Sequence, residues 1–260
     1  KTYINIAQTC CAYYRDYSKN LSWLERAEDN LEKAWNITGE TSRTLMIRGM
    51  VAWQRGELDH AIEMLRQSGE LDPKNYNAFN LLGSIYVARL DYHKAINEFQ
   101  RVVDLVEDNM AYYNLLFSLA CEKDISRLKT IAEVALPVFD RYLLREPSDA
   151  SAAIRRAFIF LWAGQTQEAE LAGRSLLASN HLTGVMLFDL GCLFNDIGDL
   201  ETFVSLIRKS IHSGFRDLEK MRNLVADPEA ANSRDDLLLL LDEFEKIVEE
   251  ENKASATPGN

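Results

Sequence analysis

Asn114 follows Asn80 at a sequence offset of 34. A side-chain amide donates and accepts at once, so a row of amides can hold the backbone of an extended peptide without reading its side chains. Arg155 offers a different chemistry, a planar guanidinium that grips a carboxylate through two parallel hydrogen bonds. Met46, Met50 and Trp53 offer a third, an adaptable apolar surface. Asn77, Ser84 and Ser118 add small polar groups at neighbouring helical spacings. These residue types at these spacings suit binding.

Nothing else in the chain competes with that reading. Cys10, Cys11, Cys121 and Cys192 show neither metal-ligand nor redox spacing, and are expected as buried free thiols. His60, His93, His181 and His212 are scattered, so no metal site and no cofactor is expected. There is no glycine-rich phosphate loop, nucleophile elbow or histidine near a fixed carboxylate, so the chain is expected not to be an enzyme.

Composition narrows the class further. Five prolines and twelve glycines in 260 residues favour an all-helical chain. The net charge of −11 is uneven. Ten acids against Arg234 and Lys246 put −8 on residues 227–251, leaving −3 for the rest. So weak a field over most of the chain argues against nucleic acid as a partner. No apolar run reaches the ~18 residues of a membrane span, so no membrane insertion is expected. The sequence opens on Lys1 and reads as a fragment or mature form of something longer. The expected compartment is the cytoplasm, with the periplasm open.

The elements that must position these residues follow from a period. Ala27, Ala61, Ala95, Ala135, Ala169 and Phe203 succeed one another at offsets of 34, 34, 40, 34 and 34. A parallel frame runs through Gly49, Gly83, Ala157 and Gly191, with Phe117 as its misfit, and Gly56, Gly164 and Gly198 mark a turn seven residues on. In the unit from Tyr76 to Asn109, Phe79, Leu82, Gly83, Tyr86, Ala95 and Phe99 alternate large and small side chains. This pattern resembles the tetratricopeptide repeat, and the resemblance covers nearly the whole chain. It implies an all-α, right-handed α-solenoid of five to six helix-turn-helix units, in which small residues let paired helices approach closely. The implied organisation is a degenerate N-terminal pair over 1–37 and an array over 38–213. Its pairs lie at about 41–70, 75–106, 109–145, 149–179 and 183–213. Capping helices over 214–251 and a disordered tail over 252–260 complete it. The extra residues of the 40-residue spacing are expected near Glu122–Lys129, in the turn or at the start of the second helix. Ser22 with Glu25 reads as a capping box, and Ser233 as a second cap.

In this family the first helix of each pair lines the concave face. The resemblance therefore implies a partner-binding groove holding Met46, Met50, Trp53, Asn77, Asn80, Ser84, Asn114, Ser118 and Arg155. Asn80 and Asn114 are expected at one position of successive units. The family's carboxylate clamp for chaperone tails needs basic residues where this chain has Met46, Ala111 and Leu115, so that use is not expected. The expected function is a protein–protein interaction scaffold whose groove takes a partner's peptide or helix. Two alternatives stay open. The end of the chain is similar to the C-termini of bacterial multidomain repeat proteins, which implies a regulatory domain of a larger signalling enzyme or transcription regulator. The groove also suits a peptide-sensing regulator. Oligomeric state is left open.

Overall fold

The computed structural model describes residues 2–178, 182–226 and 234–256, and among them contains fourteen α-helices and no strand. Two compact units divide the chain, residues 1–131 and 132–260. The first holds α1 (Thr2–Asp16), α2 (Ser22–Thr38), α3 (Ser42–Gln54), α4 (Leu58–Leu71), α5 (Tyr76–Ala88), α6 (Tyr92–Leu105) and α7 (Asn109–Glu122). In it α1 packs on α2, α3 on α4 and α5 on α6, and the first helices α1, α3, α5 and α7 touch in succession. Helix α8 (Ile125–Arg145) runs across the division. The second unit contains α9 (Ala150–Trp162), α10 (Thr166–Leu177), α11 (Gly184–Ile197), α12 (Leu200–His212), α13 (Leu218–Ala226) and α14 (Arg234–Ala256). Here α9 packs on α10, α11 on α12, and α14 covers α12 and α13. This is an all-α solenoid fold.

The α3–α4 and α5–α6 pairs close because small side chains sit where the two helices meet. Gly83 on α5 faces α6 so closely that a Cβ there would lie 2.5 Å from Phe99 Cε1. At Gly49 on α3 it would lie 2.7 Å from Leu65 Cγ on α4. The facing alanines Ala61 and Ala95 are fully buried. Close approach of the axes lets the large residues beside these contacts interlock. The turns between paired helices use left-handed backbone at Gly56, Gly164 and Gly198, with φ of +83°, +81° and +93°. Leu90 and Lys123 adopt the same conformation without being glycine, at φ of 59° and 61°.

The array is not in strict 34-residue register. The buried residues of α5 are Ala78, Phe79, Leu82, Gly83, Ile85 and Tyr86. Moved on by 33, they fall on Ala111, Tyr112, Leu115, Leu116, Ser118 and Leu119, all but Tyr112 buried in α7. Moved on by 34 they would include Phe117, which is 37% exposed. The caps agree. Asn75 precedes α5, and Asp108, at the same offset of 33, caps α7 by accepting from the Ala111 N–H at 3.0 Å. So α7 starts one residue early, and Leu116 takes the place that Gly83 has in α5.

The lost residue is recovered in α8. Asp124 follows the α6 cap Asp91 at an offset of 33 and accepts from the Arg127 N–H, so the second helix also begins early. Helix α8 has 21 residues where α6 has 14. The insertion is therefore helical, and the turn before it contains only Lys123 and Asp124. Seven residues are close to two turns, so the buried stripe of Leu128, Ala132, Ala135 and Phe139 continues along one face.

Two local expectations are corrected. Ser22 is the first residue of α2 rather than its cap; Leu21 holds that position without a side-chain bond, and Asn20 Oδ1 accepts from the Ser22 N–H at 3.0 Å. The predicted cap Ser233 lies outside the described residues. Helix α14 runs to Ala256, into the stretch expected as a tail, and buries Leu237, Leu240 and Phe244.

Candidate functional site

The two amides singled out by spacing touch. Asn114 Nδ2 on α7 donates to Asn80 Oδ1 on α5 at 3.1 Å. They do not hold equivalent positions, however. The one-residue slip of α7 puts Asn114 opposite the place of Leu81, and Tyr113 at the place of Asn80. Both amides are half-buried. A serine one turn on binds back to each helix: Ser84 Oγ donates to the Asn80 carbonyl and Ser118 Oγ to the Asn114 carbonyl, both at 2.9 Å.

What the pair leaves over decides its chemistry. The bond uses the Asn80 oxygen and one Asn114 N–H. Among the described residues the Asn80 amide nitrogen and the Asn114 side-chain oxygen carry no further bond, and neither is a buried orphan. A spare donor and a spare acceptor are the complements of the C=O and N–H of a peptide backbone. Beside them Ser84, Val87, Phe99, Tyr113, Asn114 and Phe117 line a cavity of about 250 Å³. Its wall is mostly apolar and aromatic, contributed by α5, α6 and α7.

The other predicted groove residues separate. Asn77 is exposed on α5. Ser118 is fully buried, with its hydroxyl on its own helix, and so has no face for a partner. On α3, Met46 is buried at 5% exposure, while Met50 and Trp53 are half-buried. Gln54 Nε2 donates to the Cys11 carbonyl at 3.0 Å, and Arg43 donates to Asn5 Oδ1 and Gln8 Oε1, so the facing surfaces of α1 and α3 are partly occupied by each other. Arg155 belongs to α9 in the second unit. There its charge favours the ionised forms of Asp149 and Asp189. Burial raises the Asp189 carboxyl above its ordinary range against the pull of Lys220 and Arg155. At Asp149 burial is outweighed by bonds from the Ala152 N–H and Tyr142 hydroxyl and by Arg155.

Val87, Tyr113 and Phe117 escaped the sequence reading. The signal was present in Phe117, the large residue that broke the glycine frame. Burial first, then neighbouring charge, pushes the Cys11 and Cys192 thiols up to about 12, and burial raises Cys10 and Cys121 as well, which disfavours the nucleophilic thiolate. Among the described residues no group of three or more His, Cys, Asp and Glu side chains is placed to hold a metal ion, and no helix is long and apolar enough to cross a membrane.

Residues 42–75, from the start of α3 to the end of the turn after α4, match the tetratricopeptide repeat family model. No curated protein matches the chain. Among solved structures, the fold resembles PilW, a type IV pilus biogenesis factor, with a TM-score of 0.57 and 16% identity over 86% of this chain and 99% of that one. It also resembles PilF of Pseudomonas aeruginosa, with a TM-score of 0.56 and 16% identity over 95% and 99%. A third is YrrB, described as a TPR protein with an unusual peptide-binding site, with a TM-score of 0.50 and 18% identity over 70% and 91%. At these identities the likeness establishes the fold.

Proposed function

We propose that this chain, a tetratricopeptide-repeat protein, is a protein–protein interaction scaffold that holds an extended segment of a partner along α5 and α7. The observation that carries this is the spare donor and acceptor of the Asn80–Asn114 pair beside the apolar cavity at Phe117. A peptide unit bonds the two amides while a neighbouring apolar side chain enters the cavity. Its volume of about 250 Å³ suits one leucine- or phenylalanine-sized group. The amides then give orientation and the cavity gives selectivity, the division that small binding sites commonly use. The peptide-binding site for which YrrB is described is in keeping with this reading.

The test starts from peptides selected on the intact chain from a displayed random library, with affinity then measured by fluorescence anisotropy. Replacing both Asn80 and Asn114 by Ala lowers affinity about tenfold, the effect of losing one or two net hydrogen bonds. Replacing Phe117 by Ser removes the preference for an apolar residue at one position. Unchanged affinity in both variants, with helical content intact by circular dichroism, overturns the proposal.

A further inference from the structure

A larger recess lies elsewhere in the first unit, where α2 and α4 flank α3. Its volume is about 850 Å³. Val51 and Ala52 of α3 form a buried floor, Met64 of α4 is half-buried beside it, and Trp35 of α2 stands in the wall at 37% exposure. The groove on α5 and α7 shares no residue with it.

The charge of its walls is one-sided. Glu28, Asp29, Glu32, Glu40 and Glu57 line it against a single permanent cation, Arg48, giving −4 at neutral pH. Glu28 is held by Arg55, in two bonds of 2.6 and 2.7 Å. Asp29, Glu32, Glu40 and Glu57 are exposed and form no ion pair among the described residues. Outside residues 227–251 the whole chain carries a net charge of only −3, so charge of one sign gathered on one recess stands out from a nearly balanced remainder.

Arg48 lies inside the recess with its guanidinium carbon 4.6 Å from the centre of the Trp35 ring. An aromatic face this close attracts a cation, and the attraction grows as water is excluded. Arg48 uses the aromatic wall and Arg55 is taken by Glu28, which leaves the four exposed carboxylates to other partners.

We infer that this recess is a second docking site, taking a segment of a partner protein in which lysine or arginine alternates with apolar residues. The apolar residues lie on Val51, Ala52 and Met64, and the basic ones reach Asp29, Glu32, Glu40 and Glu57. Charge pairing at an exposed rim raises the association rate and selects against acidic partners more than it adds affinity, so the apolar floor supplies much of the hold. The chain then engages two partners, or two parts of one, on separate faces of its first unit.

The test uses the full chain and two fluorescein-labelled nonapeptides, one of repeating Lys-Leu-Arg and one of repeating Glu-Leu-Glu. The basic peptide binds at 50 mM salt and weakens as salt rises, and the acidic peptide does not bind. Replacing Glu32, Glu40 and Glu57 together by Gln lowers the association rate about tenfold at 50 mM salt, and affinity falls in step. Replacing Asp236, Glu249 and Glu250 together with their amides removes equal charge from the acidic C-terminal helix and changes affinity less than about twofold, since none of those groups lines the recess. The glutamine substitutions are all at exposed positions and leave the fold unchanged by circular dichroism. Equal losses in the two triple variants, equal binding of both peptides, or no binding of the basic one overturns the inference. A loss in the Asn80→Ala/Asn114→Ala variant instead also overturns it, by placing the basic peptide in the other groove.

Discussion

Replacing Gly83 by Ala sets two effects of known sign against each other. Alanine is favoured over glycine inside a helix by about 1 kcal/mol, so on propensity alone the variant is more stable. The packing opposes it. The new Cβ would meet Phe99 Cε1, Cζ and Cδ1 at 2.5, 2.7 and 2.8 Å, against the roughly 3.5–4.0 Å of a good carbon contact. Phe99 is 2% exposed, and to withdraw, its ring must swing into the cavity it lines and give up its present contacts. Overpacking of this kind costs about 1–3 kcal/mol, so the net result is destabilisation by about 1 kcal/mol. A double-mutant cycle isolates the cause. In a Phe99→Leu background the distal ring atoms are gone, and Gly83→Ala becomes neutral or stabilising by up to about 1 kcal/mol. Urea denaturation followed by circular dichroism measures all four proteins. The same change in both backgrounds, or a gain in the native one, refutes the packing account of Gly83.

Other outcomes rest on single positions. Leu90 holds left-handed backbone at 72% exposure, where three equivalent turns use glycine; Leu90→Gly stabilises the chain by about 0.5–1 kcal/mol in the same urea assay, the strain relieved less the added freedom of the unfolded chain. Asp199 caps α12 through the Thr202 N–H and hydroxyl, at 3.1 and 2.7 Å, and Asp199→Ala lowers the thermal midpoint through a loss of about 1 kcal/mol. At Asp199 burial acts to raise the pKa, but the Thr202 bonds and Arg174 outweigh it and hold the carboxyl below its ordinary 3.8. Its contribution is therefore present above about pH 3.8 and is lost as pH falls through the depressed value, so the gap between native and Asp199→Ala midpoints closes in acid.

The repeat was readable because it rests on positions that tolerate little variation. Gly49, Gly83, Ala61 and Ala95 occupy contacts too close for a larger side chain, and Gly56, Gly164 and Gly198 occupy backbone that disfavours one. The slip in α7 was hidden because Leu115, Leu116 and Phe117 are all large and apolar, so composition does not say which two turn inward. Burial decides it, and with it the meaning of several site residues. Ser118 goes inside, Phe117 comes out to the cavity, and Asn114 reaches Asn80 from a different position rather than repeating it. Side-chain partnerships such as Arg43 with Asn5 and Gln8 join residues 38 and 35 apart, and no period marks them. The recess at Trp35 was equally hidden, because its walls come from three helices whose acids each look like an ordinary solvated face.

The seven added residues of α8 have a consequence for how such a chain can lengthen. A helix extended by nearly whole turns advances along its axis while its side chains keep their compass bearing, drifting only about 20° per seven residues. Two edits that look unrelated in the sequence, one residue lost before α7 and seven gained within α8, therefore act on different coordinates. The first rotates the face α7 presents and brings new aromatic groups to a cavity wall. The second changes reach and leaves direction almost untouched. An array of this design can thus vary what a helix shows and how far it extends as separate quantities, the first by single residues and the second by sevens.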